Sequence, residues 1–341
     1  MRLPFLTSLT KAVGIDYGSS RTRIWTSTQG FVLDEPTCIA VDMRSKKVLA
    51  IGSDALAMTN RVGDTVAILH PVQQGRIYDM DLAKALLNLF LQKVLKSVTF
   101  FKPVIMASIP AGATEAERGA LVELLYAVGA RQAYTISQPL AAAIGSGVPI
   151  ADSSGSFIVQ MGSGVVEAGV ISLGSLVDWE STTRAGDMAD QYIKHALREH
   201  SSLEVSQEKA LELKHTIGSV DDKTNQEMLT LGKDTISASP KEVKIKAEVM
   251  APALKNLAEH YQQLLKSLFA RIAPELSSDV IDKGMLLSGG FSQLGGLELY
   301  VINSLGIPAS VVEDPQRAVI KGIATALEHL ELFEQSLGYQ V

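Results

Sequence analysis

Glycine and serine gather at three places directly after short apolar runs: Gly18-Ser19-Ser20, Gly162-Ser163-Gly164 and Gly289-Gly290. Turns built of such small residues let backbone N–H groups come close to an anion, and phosphate oxygens are the usual guests. One such turn alone says little, because any tight turn needs glycine for steric reasons. Separated by about 145 and 125 residues, the three together describe two phosphate-holding hairpins and a later nucleoside turn, hence a nucleotide clamped between two domains.

Each turn must be positioned by the elements around it. From Ala12 to Thr26 the chain reads strand, turn, strand, and Phe31–Leu33, Cys38–Val41 and Lys47–Ile51 are further β-rich runs. Asp79 to Lys96 has the spacing of an amphipathic helix, Val104–Ile109 that of a buried strand, and Thr114-Glu115-Ala116-Glu117 is a capping box opening a helix through Val128. Phe157–Met161, the Gly162 turn and Val165–Leu173 then repeat the opening hairpin. Helices are expected over Met188–His200 and Gln207–Ile217, a loop-rich stretch with one strand over Ser219–Glu242, and a long helix over Lys246–Ile272. Lys283–Leu287 reads as a strand, and Asp314-Pro315 as the N-cap and first position of a last helix reaching Leu330. Strands interleaved with helices make the class α/β.

Gly14-Ile15-Asp16-Tyr17-Gly18-Ser19-Ser20-Arg21-Thr22 resembles the first phosphate motif of the MreB family of bacterial actin homologues, which reads G-I-D-L-G-T-A-N-T. The resemblance continues through Asp34-Glu35-Pro36, Gln138-Pro139-Leu140-Ala141-Ala142-Ala143-Ile144-Gly145, Val170 to Ser175, Trp179-Glu180-Ser181, Arg184 to Asp187, Leu286 to Gly290 and Gly322-Ile323-Ala324, co-linear over nearly the whole chain. It implies an actin-like fold with two ribonuclease-H-like domains. The first would hold residues 1–145 and 316–341, with a small subdomain at about 31–76. The second would hold 146–315, with a small subdomain at about 185–245. It also implies ATP or ADP with Mg²⁺, and self-assembly into filaments at the inner face of the cell membrane. Morphogenesis or cell-wall synthesis proteins would be its partners. Carried over by position, Asp16 would order Mg²⁺-bound water. Gly18, Ser19, Ser20, Arg21 and Thr22, with Gly162, Ser163 and Gly164, would hold phosphates. Glu212 and Lys214 would lie by the adenine or ribose, and Gly289, Gly290, Phe291 and Ser292 against the nucleoside.

The departures from the family pattern concentrate on hydrolysis. Its second phosphate motif, D-I-G-G-G-T-T-E, here reads Gln160-Met161-Gly162-Ser163-Gly164-Val165-Val166-Glu167, and its catalytic Glu aligns with Gln138. Leu211 takes the place of an adenine-side Glu, with Glu212 one position along. A glutamine orients water by hydrogen bonding but cannot take its proton. The expectation is a nucleotide pocket with weakened hydrolysis, the alternative being a non-hydrolysing scaffold that docks partners at the membrane. A sugar or acetate kinase would need an acceptor base that Gln138 and Gln160 do not supply.

The remaining composition narrows the field. The 341 residues are 46% hydrophobic and 20% charged, with net charge −6, so sizeable cores are affordable and nucleic acid is not an expected partner. A single cysteine, Cys38, forms no internal disulfide and fits a reducing, cytoplasmic compartment, and six histidines lack paired metal-ligand spacing. Lys241–Lys246 reads as an exposed strand edge. Two segments are candidate membrane contacts: Phe100-Phe101 between Lys96 and Lys102, and the N-terminal Leu3, Phe5 and Leu6, for which packing beside the first strand is the alternative.

Overall fold

Strand β1 (Ala12–Tyr17) is buried from Val13 onward and turns back at Gly18 into β2 (Arg21–Thr26), which pairs with β3 (Gly30–Pro36). The computed structural model to which these strands belong describes residues 12–59, 61, 63, 65–95, 102–333 and 338–339. Phe100, Phe101, Leu3, Phe5 and Leu6 therefore lie outside the described residues. Strands β4 (Ile39–Asp42), β5 (Val48–Ile51) and β6 (Val66–Leu69) form a small antiparallel sheet in the order β5-β4-β6, with helix α1 (Gly52–Ala57) after β5. A short hairpin, β7 (Val72–Gln73) and β8 (Arg76–Ile77), leads to α2 (Met80–Val94), which starts where the Asp79 side chain accepts the Leu82 N–H at 3.0 Å. Strand β9 (Val104–Ile109), buried at every position, runs parallel to β1. Next, the capping box forms as expected: Thr114 and Glu117 exchange hydrogen bonds of 3.2 and 2.8 Å at the start of α3 (Glu115–Ala127). Strand β10 (Gln132–Ser137) then runs directly into α4 (Gln138–Gly145).

The second half restarts with β11 (Ser156–Met161), β12 (Val166–Ser172) and β13 (Ser175–Thr182), followed by α5 (Gly186–Ser201), β14 (Leu203–Glu204) and α6 (Gln207–Ile217). The stretch expected to be loop-rich is instead a hairpin of β15 (Glu227–Asp234) and β16 (Pro240–Lys246). Met228, Val243 and Ile245 face the core, but Leu229 and Leu231 are exposed on the other side of β15, so the alternation that marks a half-buried strand is blurred there. Ion pairs Lys244–Glu227 and Lys241–Asp234 and the Asp234 carboxylate, which accepts the Ile236 and Ser237 N–H groups, add to that apolar anchoring. β16 is an edge of the β14-β15-β16 sheet, as its charge pattern predicts.

The long helix α7 (Ala251–Phe269) begins later than expected, after a 3-10 turn at Ala247–Val249, and buries Leu254, Leu257, Tyr261, Leu264 and Leu268 on one face. Helices α8 (Pro274–Lys283) and α9 (Leu297–Leu305) are additions to the sequence reading, flanking β17 (Met285–Ser288) and preceding β18 (Ala309–Val311). The last long helix, α10 (Ala318–Glu328), corrects another expectation: its N-cap is Arg317, while Asp314 sits at φ 59° and Pro315 in the preceding turn. The Pro315 carbonyl accepts the Gly289 N–H at 2.8 Å, so this segment braces the third glycine turn rather than opening a helix. Two further short elements follow, α11 (Leu330–Phe333) and β19 (Gly338–Tyr339).

By contact the chain divides into two compact units. The first holds the described residues up to Ala151, Leu173–Ser175 and those from Arg317 onward; the second holds Asp152–Ser172 and Leu176–Gln316. Their central sheets share one plan. The order β3-β2-β1-β9-β10 in the first and β13-β12-β11-β17-β18 in the second each consist of three antiparallel strands followed by two that lie parallel to the first. The first core gathers Ile15, Ile24, Leu86, Phe90, Ile105 and Leu124. The second gathers Val159, Leu254, Tyr261 and Leu268 around Phe157, whose ring stacks on Phe269 at 4.8 Å. Among the described residues no helix is long and apolar enough to cross a membrane.

Candidate functional site

The two hairpin turns are built alike. Gly18 N–H donates to the Arg21 carbonyl at 3.1 Å, and Gly162 N–H to the Val165 carbonyl at 2.9 Å. A Cβ at Gly18 would stand 2.9 Å from the Arg21 oxygen, and one at Gly162 3.0 Å from the Val165 oxygen, so closing either turn this tightly requires glycine. Other backbone groups hold each turn by its acceptors. In the first unit, Gly75 N–H donates to the Ser19 hydroxyl (2.8 Å) and Thr37 N–H to the Ser20 carbonyl (2.9 Å). In the second, the start of α5 does the same work: Gly186 and Asp187 N–H groups donate to the Gly162 and Ser163 carbonyls (3.2 and 2.8 Å). Among the described residues no acceptor meets the N–H groups of Ser19, Ser20, Ser163 or Gly164. Donors left open on a turn whose acceptors are pinned suit an anion.

The third turn is made by close approach. Gly289 has φ 85°, and a Cβ there would lie 2.3 Å from the Met161 carbonyl oxygen. Gly290 is exposed, Phe291 is buried, and the buried Ser292 hydroxyl donates back to the Gly289 carbonyl at 2.7 Å.

The polar side chains expected at the site have definite partners. Asp16 is buried; its Oδ1 accepts the Ser108 hydroxyl at 2.9 Å and its Oδ2 faces the Arg23 guanidinium at 3.5 Å. Burial pushes its pKa up, against Arg23 and Ser108, which favour the carboxylate. Arg21 grips Asp34 through its Nε (2.5 Å) and donates to the Asp34 carbonyl (2.7 Å), while Arg23 Nε reaches the same carboxylate at 3.3 Å. Burial pushes Asp34 up too, but the two arginines prevail and hold it below the usual carboxylate range. Thr22 is buried, with its hydroxyl 2.8 Å from that of Thr37.

Gln160 occupies the position in β11 that Asp16 has in β1, and its Oε1 accepts the Ser288 hydroxyl at 2.6 Å. Gln138, also buried, is the first residue of α4. Lys214 is buried and committed: Nζ lies 2.7 Å from Asp190 Oδ1, donates to the Gly186 carbonyl at 2.8 Å and stands 5.8 Å from the centre of the Phe291 ring. It thereby ties α6 to the start of α5, which braces the second turn. Glu212 is exposed and paired with Lys209 at 2.5 Å, and Leu211 is exposed.

Sequence reasoning did not single out Arg23, Asp34 as a charge partner, Ser108, Ser288 or Gly75, all of which reach the expected residues by strand pairing or across the fold. It also did not anticipate a cavity of about 210 Å³ beside the first turn, lined by Tyr17, Gly75, Ser108, Ala116 and an Arg76–Glu117 ion pair of 2.9 Å. The donor set suits Mg²⁺ poorly. Asp16 is already bonded to Ser108 and Arg23, Gln138 and Gln160 are neutral, and among the described residues no cluster of three or more His, Cys, Asp or Glu could hold a metal ion.

Known proteins match this chain over nearly all of its length. The family model described as MreB/Mbl protein matches residues 10–335. Cell shape-determining protein MreB of Escherichia coli (strain K12) is 32% identical over 328 residues, which is 94% of either chain. The crystal structure of MreB 5 of Spiroplasma citri bound to AMPPNP superposes with a TM-score of 0.91 at 26% identity, covering 96% of this chain and 98% of that one; the same protein bound to ADP gives 0.90. A MamK double helical filament superposes with a TM-score of 0.80 at 20% identity, covering 94% of this chain and 99% of that one, a likeness of fold.

Proposed function

The chain belongs to the MreB/Mbl family and has its actin-like α/β fold, and from that premise we propose that it is a cell-shape cytoskeletal protein that binds ATP or ADP, polymerises with copies of itself and hydrolyses nucleotide slowly. The observation that carries the nucleotide part is the pair of hairpin turns with pinned acceptors and open N–H groups at Ser19, Ser20, Ser163 and Gly164. MreB 5 of Spiroplasma citri, bound to AMPPNP and to ADP, supports the same ligand class. In this reading the turns hold the phosphates, and Gly289 to Ser292 receive the nucleoside. Lys214 acts from behind, by fixing the start of α5, rather than as a free ammonium.

Slow hydrolysis follows from the amides. Gln138 and Gln160 have no basic oxygen with which to take a proton from water, and the Gln160 carbonyl oxygen is engaged by Ser288. Each lost catalytic interaction costs on the order of tenfold to a thousandfold in rate. The paired variant Gln138→Glu with Gln160→Asp is therefore expected to release phosphate faster than wild type. A brisk wild-type rate that the pair leaves unaltered would sink this assignment.

Filament formation is tested by sedimentation and negative-stain microscopy with ATP, with ADP and without nucleotide. Assembly only with nucleotide supports a dynamic polymer. Particles that stay unassembled in all three conditions would favour a scaffold that docks partners. Membrane association at the cytoplasmic face belongs to the same proposal, with the Phe100-Phe101 segment as contact.

A further inference from the structure

The first hairpin carries charges in a row. Asp16 in β1 lies directly across from Arg23 in β2, and Arg23 directly across from Asp34 in β3. Side chains opposite one another on neighbouring strands share a face, so acid, base and acid stand side by side. Arg23 and Asp16 are both nearly closed off from solvent, at 12% and 10% side-chain exposure, and a buried pair of this kind persists only because each charge answers the other. Arg21, within the phosphate turn itself, and Arg317, at 4.0 Å, also address Asp34. Three guanidinium groups thus meet two carboxylates beside the turn, leaving a net positive charge. The corresponding pair in the second hairpin is Gln160 opposite Glu167, so the cationic member belongs to the first alone.

We infer that this chain holds nucleotide without needing a divalent cation, Arg23 supplying beside Asp16 the positive charge that a metal ion would otherwise bring. The inference rests on the nucleotide reading of the turns. A carboxylate near bound phosphates repels them, and something must neutralise it. Here a fixed guanidinium does so from the neighbouring strand, while Ser108 satisfies the other oxygen. Gln138 and Gln160, being neutral, add no carboxylate that would attract a metal or need screening by one. Metal and nucleotide are then nearly uncoupled: neither gains much affinity from the presence of the other.

The test is calorimetric titration of the full-length protein with ADP and ATP, in magnesium and in excess EDTA. Wild-type affinities are expected to agree within about threefold between the two conditions, the mark of weak coupling. Wild-type binding weakened about tenfold or more by EDTA would overturn the inference while leaving the nucleotide reading intact. Absence of binding in both conditions would instead remove the nucleotide reading, and this inference with it. Arg23→Leu exposes Asp16 to the phosphates, so its affinity should fall about tenfold in EDTA and recover with magnesium. A folded Arg23→Leu protein, judged by circular dichroism, that binds equally well in both conditions would show that Arg23 is not the source of the charge. If that variant does not fold, Arg23→Gln, which keeps a hydrogen-bonding side chain without the charge, is read by the same criteria.

Discussion

Helices α4 and α10 touch backbone to backbone, and the contact predicts a large penalty for one methyl group. A Cβ at Gly322 would stand 1.7 Å from the Ala141 carbonyl oxygen and 2.6 Å from its carbon, and one at Gly145 would stand 1.9 Å from the Ala318 oxygen. These separations are roughly half of ordinary van der Waals contact, and the obstructing atoms are main chain, which no rotamer change can clear. Gly322→Ala must therefore push α10 away along a seam that buries Ala141, Ala142, Ala318 and Ile323. Overpacking a core by one methyl costs about 1–3 kcal/mol where side chains can yield, and occasionally more. With main chain on both sides the upper end applies, and the gain in helix propensity returns only up to about 1 kcal/mol. A net loss of about 2–4 kcal/mol is expected.

The matched control is Gly119→Ala in α3, where an added Cβ meets nothing within 4 Å and propensity should stabilise by about 0.5–1 kcal/mol. Urea unfolding of both variants, followed by circular dichroism, measures the contrast. The consequence extends to the site. α4 begins with Gln138, and Ile323 of α10 sits against Gly14 of β1, where a Cβ would be 2.8 Å from its Cγ2. Loss of nucleotide affinity should accompany the loss of stability. A Gly322→Ala protein destabilised by less than about 1 kcal/mol would refute the close helix contact and the reasoning built on it.

Three further outcomes are expected. Lys214→Met strands the buried Asp190 carboxylate and should destabilise by about 3–5 kcal/mol in urea unfolding, whereas Lys214→Met with Asp190→Leu should recover much of that loss. Burial pushes Glu35 up, but hydrogen bonds from Lys93 and from the Ser53 hydroxyl and amide overcome it and bring its pKa down to about 2 from 4.5. That contribution is present above pH 4.5 and lost as pH falls from there through 2; Glu35→Gln should remove about 1–2 kcal/mol of this acid sensitivity, discounted for the exposed Lys93, as followed by unfolding titrations between those limits. Assembled protein should pellet with anionic liposomes, and Phe100→Ala with Phe101→Ala should abolish this without unfolding it; retained pelleting would move the contact elsewhere.

Much of the candidate site's local structure was legible because its signals are local. The turn at Gly18 and the turn at Gly162 are each four residues long, and the capping box at Thr114 spans as few, so chain order displays them directly. The boundaries of β9, a continuous buried run, and of α6 could likewise be read from neighbouring residues. The β15–β16 hairpin could not, since Leu229 and Leu231 on the exposed face of β15 mask the alternation with Met228 and Thr230, and its partners become evident only once Glu227 pairs with Lys246 and Lys233 with Pro240.

What the sequence determined by itself is the kind of candidate site: glycine at the turns, amides at Gln138 and Gln160, and one hairpin grammar used twice. Tertiary structure decided what those residues are able to do. Arg23 comes to face Asp16 through the register of β1 on β2, and a slip of one residue would send it to the opposite side of the sheet. Lys214 is spoken for by Asp190 and Gly186 because α6 packs on α5, and Asp314 loses its capping role because Pro315 is needed by Gly289. Turns, caps and periods are short-range and belong to neighbouring residues. The state of a charge is set by what burial and packing place beside it, and those neighbours are distant in the chain.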